Sequence, residues 1–228
     1  MVPILLLLVL GLGLAVLPSM WVNGVLKKHG VARPDFPGTG GELARHLLDE
    51  MKLAHVAVEP SQAGDHYDPE AKAVRLAPER FNGRSLAAVV VAAHEVGHAM
   101  QDATGYAPLA ARTKMAVQAH KLQRLGAIVM LAAPVVLILV KSPHVLILEF
   151  VVGLLIMGST IVMHAVTLPV EFDASFRRAL PVLQAGRYIP EADMPAARQI
   201  LRAAAFTYVA AAAISLLDIA RWLRLLRI

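Results

Sequence analysis

The hydrophobic and polar positions of this chain separate into long uncharged blocks and polar segments. Residues 2–26 contain no charged side chain. At about 1.5 Å per helical residue, this block is long enough to cross a hydrocarbon layer of roughly 30 Å. Three later apolar blocks cover residues 125–140, 145–170 and 203–217. The pattern predicts a multi-pass membrane protein with about four transmembrane helices.

The first block is predicted to be a retained anchor. A cleaved signal peptide has a basic start and a small-residue cleavage site. Here no lysine or arginine precedes the apolar run, and Lys27 and Lys28 follow it. This arrangement favours an anchor over a leader that is removed.

The polar segment after this anchor has the patterning of a small folded region. The expected elements are, in order, a helix over 42–52, strands at 56–58 and 73–76 around a turn at 67–70, and a helix from about Ser85 to Ala103. Thr39 or a neighbour is expected to cap the first helix. The predicted fold is therefore mainly α, with a small α+β region beside the transmembrane helices.

The block boundaries divide the chain into five parts. In order, these are a transmembrane anchor (1–26), a polar region that contains the predicted long helix (27–124), two transmembrane helices (125–170), a helical segment (171–202) and a transmembrane or interfacial C-terminal helix (203–228). Basic residues concentrate in the second and fourth parts, which places both on the cytoplasmic side of the membrane. Residues from these two parts are therefore expected to share one compartment.

Composition favours a lipid bilayer as a partner and argues against nucleic acid. Hydrophobic residues make up 57% of the chain and charged residues 17%, against about 25% charged residues in ordinary globular proteins. The net charge is +5, but the basic residues flank the apolar blocks, as contacts with lipid require. Cysteine is absent, so a transition metal would have to be bound by His, Asp or Glu.

The strongest chemical signal is the run His94-Glu95-Val96-Gly97-His98 inside the predicted long helix. Side chains four residues apart lie on one face of a helix, so both imidazoles can bind a single zinc ion. Glu95 is displaced around the helix and can serve as general base for a water molecule without taking a ligand position. The pattern predicts a zinc metallopeptidase that acts on a peptide or protein substrate.

A third zinc ligand is expected from a distant part of the chain. Catalytic zinc sites use three protein ligands and leave one position open for water. The segment 170–175, where the third apolar block ends, contains Glu171 and Asp173. Glu171 is the first candidate, with Asp173 and His164 as alternatives.

Two further features bear on catalysis. Asp102 follows His98 by four residues and is predicted either to orient a ligand imidazole or to be solvated near the helix end. The strand at 73–76 is predicted to present an edge to an extended peptide substrate.

Several runs along the chain carry a family resemblance. They are Asp65–Pro69, Asn82–Ala88, Ala93–Gln101 and Pro169–Ser175. Through them the chain resembles the YugP-type family of bacterial membrane zinc metallopeptidases over nearly its whole length. The resemblance implies a multi-pass protein of the bacterial inner membrane, with His94 and His98 as zinc ligands and Glu95 as the catalytic residue.

A more distant resemblance is to the HtpX-type membrane proteases. Their third zinc ligand is a Glu followed four residues later by an Asp on the same helix. Glu171 matches this ligand, which favours it over His164. Ser175 stands where the Asp would be, and a hydroxyl orients a histidine less strongly than a carboxylate. Asp173 and Asp102 are the candidates to compensate.

Two other interpretations remain open. In a site-2-like intramembrane protease, the zinc helix would lie in the bilayer and Asp218 would be the last ligand. In a non-catalytic membrane adaptor, the zinc ion would be structural, which usually requires four protein ligands.

Overall fold

A computed structural model describes residues 17, 18, 20–140 and 143–205 of the chain. These residues are mostly helical. The helices are α1 (residues 20–29), α2 (Gly40–Glu50), α3 (Pro78–Phe81), α4 (Leu86–Ala103), α5 (Ala107–Val140), α6 (Pro143–Phe172), α7 (Leu180–Ala185) and α8 (residues 194–205). A π-helix covers Asp173–Ala179, and a 3-10 turn covers Glu191–Asp193. The strands are β1 (Ala57–Pro60), β2 (His66–Asp68) and β3 (Ala73–Leu76).

Two helices begin at the capping residues that the sequence predicts. The Thr39 hydroxyl accepts a hydrogen bond from the Glu42 N–H, and the Glu42 carboxylate accepts one from the Thr39 N–H. This reciprocal capping box satisfies two N–H groups at the start of α2. The Ser85 hydroxyl accepts from the Ala88 N–H and caps α4. The predicted Thr39 cap is confirmed, and Ser85, at the start of the predicted long helix, is the cap of α4; α2 starts at Gly40, directly after its cap.

The three strands form one sheet in the order β1-β3-β2. β3 pairs in parallel with β1 and antiparallel with β2, with Val74 opposite both Val58 and Tyr67. The prediction that residues 73–76 present an edge to substrate is therefore wrong, because both sides of β3 are already paired. β2, which the sequence pattern assigned partly to a turn, is an outer strand of the sheet.

Helix α4 lies at the centre of the core. Its apolar residues pack against α2, the sheet and the segment that follows α6. The largest fully buried side chains include Leu47, Leu48, Val74, Leu76, Val90, Val96, Leu183, Ile200 and Leu201. Burial on almost all sides explains why α4 is rich in Ala and Val through its first half, and it holds the residues after them in fixed positions.

Among the described residues, none of the helices is both long enough and apolar enough to cross a bilayer. The prediction of a multi-pass membrane protein with about four transmembrane helices is therefore wrong for this part of the chain. A spanning helix needs roughly 20 predominantly apolar residues with few or no charges. In α5 the uncharged part is limited to 125–140, and in α6 the ionisable Glu149 and His164 leave 14 residues between them. Of the first and last predicted spans, residues 1–16, 19 and 206–228 lie outside the described residues.

Candidate metal centre

Three buried side chains from two helices converge on one point. His94 and His98 lie one turn apart on α4, and Glu171 lies at the end of α6. The Glu171 Oε2 atom is 3.2 Å from His94 Nε2 and 3.6 Å from His98 Nε2. One potential ligand atom from each residue lies within 4.8 Å of the others. The structure thus brings together the three residues that the sequence singles out as candidate ligands.

The crossing of α4 with the π-helix makes this convergence possible. Gly97 lies at the crossing, and a Cβ added there would lie 2.7 Å from the backbone oxygen of Ala174. Real Cβ atoms do not come that close to a carbonyl oxygen, so the approach requires glycine. The π-helix begins two residues after Glu171, and single π turns are frequent at functional sites. Glu171 is therefore held against both histidines by backbone packing.

The donor set and its spacing fit a zinc ion. Nitrogen and oxygen ligands lie about 2.0–2.2 Å from tetrahedral zinc, so two such ligands are about 3.4 Å apart. The measured separations from Glu171 Oε2, 3.2 and 3.6 Å, bracket this value. Within the described part of the chain, the cluster supplies three ligand side chains. Three ligands with one open position is the arrangement of catalytic zinc.

Glu171 is held in the ionised form that binds a metal. Burial alone raises the pKa of Glu171, but the charge of His98 and hydrogen bonds with His94 and His98 outweigh it. The pKa is therefore held well below its usual range. The Arg112 Nη1 atom lies 3.0 Å from the other carboxylate oxygen, Oε1. Arg112 thus pairs with one oxygen of Glu171 while the second faces the histidines.

Gln101 determines which nitrogen of His98 carries the proton. Its side chain is fully buried, and its Nε2 donates to the Val170 carbonyl at 2.8 Å and to the Asp173 carboxylate at 2.9 Å. Because both partners are acceptors only, the amide oxygen must face His98 Nδ1, 2.9 Å away. His98 therefore donates from Nδ1, so that Nε2 is the nitrogen that would bind a metal once the proton it shares with Glu171 is displaced.

Asp173 supports this arrangement from behind. Burial raises the pKa of Asp173, but the hydrogen bonds from Arg178 and Gln101 have a larger effect in the opposite direction. The pKa of Asp173 therefore lies below its usual value. The Arg178 Nε atom donates to the same carboxylate oxygen at 2.7 Å. Asp173 is thus an ionised acceptor that holds Gln101, and it reaches His98 only through that amide.

His94 is supported by a single hydroxyl group. The Ser175 hydroxyl lies 3.1 Å from His94 Nδ1 in a fully buried environment. Ser175 stands where the HtpX-type pattern has an Asp, and it still contacts the ligand histidine. The two histidines therefore differ in support, since a lone hydroxyl holds His94 while an amide and a carboxylate hold His98.

Glu95 lies beside the cluster and is not one of its three members. It is buried, with 6% of its surface exposed. The pKa of Glu95 is raised to about 7, and burial is the main cause. The charges of Glu171 and Asp65 also raise the pKa, while those of His94 and Arg112 lower it. A carboxylate with a pKa near neutrality is suited to both accepting and releasing a proton.

A cavity of about 200 Å³ opens onto these residues. Its polar lining consists of Asp65, His66, Tyr67, His94, Glu95, His98, Arg112 and Glu171. His66 and Tyr67 belong to β2, so the outer strand of the sheet borders the cavity. The cavity therefore contains the candidate ligands, the candidate base and a strand edge.

The alternative site residues lie elsewhere or outside the described residues. Asp102 accepts hydrogen bonds from Tyr67 Oη and Lys72 Nζ, both at 2.5 Å, so it ties α4 to the sheet instead of orienting a histidine. Asp173 bonds with Gln101 and Arg178 and is not part of the ligand cluster. The side chain of His164 and all of Asp218 lie outside the described residues.

Sequence reasoning missed two residues of the site. Gln101 falls within a run that carries the family resemblance, three residues after His98, and that spacing was the available signal. Arg112 lies in a basic stretch before the second apolar block, and that position gives no sign of a role in the site. Its contact with Glu171 depends on α6 returning beside the start of α5, and no local pattern indicates this.

Comparison with known proteins agrees with this chemistry. A family model described as "Putative neutral zinc metallopeptidase" matches residues 4–227. The chain is also 33% identical over 213 residues to the "Putative membrane protease YugP" of Bacillus subtilis (strain 168), covering 92% of this chain and 91% of that protein. No solved structure matches the chain.

Proposed function

The chain belongs to the neutral zinc metallopeptidase family, and from that premise we propose that it is an endopeptidase whose zinc ion is held by His94, His98 and Glu171. As a member of this family it is an enzyme, and zinc is its cofactor. The observation that carries the proposed ligand set is the meeting of three ligand atoms within 4.8 Å beside a buried carboxylate, Glu95.

In the proposed reaction, Glu95 is the general base and then the general acid. When bound, zinc supplies a lower pKa for the attacking water and polarises the peptide carbonyl. Glu95 accepts a proton from this water as its oxygen attacks the carbonyl carbon, and it returns the proton to the leaving nitrogen as the C–N bond breaks. The products are a carboxylic acid and an amine, which ionise in neutral water to a carboxylate and an ammonium group.

The proposed path of the substrate follows β2. This strand is an outer strand, and His66 and Tyr67 line the metal cavity. An extended peptide can add to an outer strand through backbone hydrogen bonds. Pairing there would bring the peptide past Glu95. This role replaces the one expected for residues 73–76, which form the central strand.

The number of ligands favours catalytic over structural zinc. Structural zinc sites are usually closed by four protein ligands. In the part of the chain that the structure describes, the cluster has three, and a cavity reaches them. A purely structural zinc ion in an adaptor would account for neither the three-ligand set nor the cavity that reaches it.

The test of the catalytic assignment is the Glu95→Gln substitution. Gln keeps the size of the side chain and removes the proton acceptor, so casein cleavage by the zinc-loaded variant should fall by at least about 10²-fold. Bound zinc should stay at the wild-type level. Glu50→Gln, an exposed change on α2, is the matched control and should leave cleavage unchanged. Cleavage by Glu95→Gln at the wild-type rate would contradict the assignment.

We also propose that the enzyme works at a bacterial membrane, with the site on the cytoplasmic side. The relative from Bacillus subtilis is named a membrane protease. Large apolar side chains on α5 and α6 are more than 60% exposed, namely Leu125, Ile128, Leu148 and Leu155. Such exposure is typical of surfaces that contact another phase or partner. Cell fractionation should recover the full-length protein with membranes; recovery in the supernatant would contradict this proposal.

A further inference from the structure

The cavity at the metal centre has a second, apolar lining. Besides its polar residues, six apolar side chains from three helices border it: Val22 and Leu26 on α1, Val91 on α4, and Ile200, Leu201 and Ala204 on α8. We call these six residues the apolar wall. The catalytic function proposed above uses none of them.

Helix geometry makes the apolar wall a continuous surface. Residues three or four apart lie on the same helix face, and this spacing holds for Val22 with Leu26 and for Ile200 with Ala204. Val91 precedes Glu95 by four residues, so the apolar surface begins about one helical turn, roughly 5.4 Å, from the general base. A group bound against Val91 would therefore lie next to the reacting atoms.

Part of the wall is fixed and part is open. Ile200 and Leu201 are each only 1% exposed, so they form a packed base. Val22, Val91 and Ala204 are partly exposed and form the surface that a ligand can reach. Because densely packed interiors transmit volume changes, a larger side chain in this wall cannot be absorbed without reducing the cavity.

We propose that the apolar wall binds one apolar side chain of the peptide substrate, at a residue adjoining the cleaved bond. This inference rests on the proposed peptidase function. The cavity volume of about 200 Å³ lies below the roughly 300 Å³ of the smallest typical ligand pockets, so it suits a single side chain. A charged side chain would lose its water against the apolar wall, whose six residues offer no charged or hydrogen-bonding side chain, and this is costly. The substrate class is therefore a peptide with a medium or large apolar residue at the scissile bond.

The first test compares peptides that differ at one position. A series with Leu, Phe, Ala, Asp or Lys beside the cleaved bond is incubated with the zinc-loaded full chain. We expect kcat/KM for Leu and Phe to exceed that for Ala by about 10-fold to 200-fold, the range for added methylenes in an apolar pocket. Asp and Lys peptides should be cleaved more slowly still. Equal kcat/KM across the series would overturn the inference and leave the peptidase function standing.

The second test fills the pocket. Ala204→Phe adds bulk to the open part of the wall and should lower kcat/KM for the Leu and Phe peptides by at least about 10-fold. The loss should be smaller for the Ala peptide, which does not fill the wall, and bound zinc should change little. Arg202→Phe adds the same side chain at an exposed position of α8 and is the matched control. A preference for Leu over Ala that survives Ala204→Phe would overturn the assignment of the wall.

A binding measurement separates the two proposals. The zinc-loaded Glu95→Gln variant is titrated with the Leu and Lys peptides. One outcome is that the wild type cleaves no peptide while this variant binds the Leu peptide at least about 10-fold more tightly than the Lys peptide. In that case the peptidase proposal fails and the apolar wall stands. Equal affinities for both peptides would overturn the apolar wall whatever the activity.

Discussion

Two neighbouring residues on α4, Gln101 and Asp102, belong to polar networks of opposite character. Gln101 is fully buried and joins His98 to Asp173 through three hydrogen bonds. Asp102 faces the sheet, keeps 24% of its side chain exposed, and accepts hydrogen bonds from Tyr67 and Lys72. The two residues make similar numbers of hydrogen bonds on the same helix but differ in burial and in charge, since Gln101 is a neutral amide and Asp102 forms an ion pair with Lys72.

Burial determines what each network contributes. An unsatisfied polar group costs about 1–3 kcal/mol when it is buried, because water cannot replace the lost partner. An exposed ion pair contributes about 0.2–1 kcal/mol, because water solvates either partner when the pair breaks. The buried network should therefore control the metal centre, and the exposed network should adjust stability slightly.

The largest expected effect is at the helix crossing that creates the buried network. Gly97→Ala places a Cβ against the Ala174 carbonyl and must push α4 and the π-helix apart. We expect a loss of about 1–3 kcal/mol in the free energy of unfolding and a large loss of zinc affinity. Gly24→Ala on α1 is the matched control, since a Cβ there meets no atom within 4 Å. Denaturant unfolding and zinc titration check both; wild-type zinc affinity in Gly97→Ala would contradict the account.

The next effect is at Gln101. Gln101→Leu keeps a similar volume but leaves His98 Nδ1 and Asp173 without their shared partner. Zinc affinity should fall about 10-fold to 100-fold, as for other residues that orient a ligand histidine. Competition with a chromophoric chelator measures this, and nitrogen NMR of the imidazole should show the protonated Nδ1 form of His98 lost. An unchanged tautomer in the variant would show that Gln101 does not select it.

Ser175→Ala should have a smaller effect on zinc affinity. It removes one hydroxyl contact from His94, whereas Gln101→Leu separates His98 from both an amide and the Asp173 carboxylate. We expect zinc affinity to fall about 3-fold to 10-fold, at the lower end for such residues. The same competition assay ranks it against Gln101→Leu. A greater loss at Ser175 than at Gln101 would reverse the proposed difference in support between the two histidines.

The exposed network should give the smallest effect and a distinct pH dependence. Burial raises the pKa of Asp102, but the hydrogen bonds from Lys72 and Tyr67 have a larger effect in the opposite direction. The pKa of Asp102 therefore lies below its ordinary value of 3.8. A lowered carboxyl pKa stabilises the fold above that ordinary value, and the stabilisation is lost as the pH falls through the folded pKa. Asp102→Asn should therefore cost about 0.5 kcal/mol at pH 7 and less below pH 4. Unfolding measured at both pH values checks this; an equal cost at both would contradict it.

The local features of this site could be predicted from sequence, and the long-range ones could not. The spacing of His94 and His98 and the Ser85 cap are properties of one helix, so pattern alone located them. Glu171 was preferred through a family resemblance, since 77 residues separate it from His94. The role of Gln101 depends on acceptors that another helix provides, which no local pattern contains.

The same limit explains the errors in the fold. The order of a sheet depends on contacts between strands, so the pattern at residues 73–76 could not show that this strand is central. β2 has only three residues and ends at Asp68, whose side chain accepts hydrogen bonds from the turn that follows. The turn residues that follow β2 therefore led the sequence pattern to indicate a turn where the structure has a short strand. Apolar content similarly overpredicted the spans, since no helix among the described residues is both long enough and apolar enough to cross a bilayer.

Zinc binding by wild type and by Glu171→Gln tests the central claim most directly. We expect one zinc ion per wild-type chain, bound through two imidazoles and one carboxylate. Glu171→Gln, which keeps the size of the side chain but removes its charge, should weaken zinc binding by more than about 100-fold, beyond the loss expected for a supporting residue. Wild-type stoichiometry and affinity in Glu171→Gln would contradict the proposed centre.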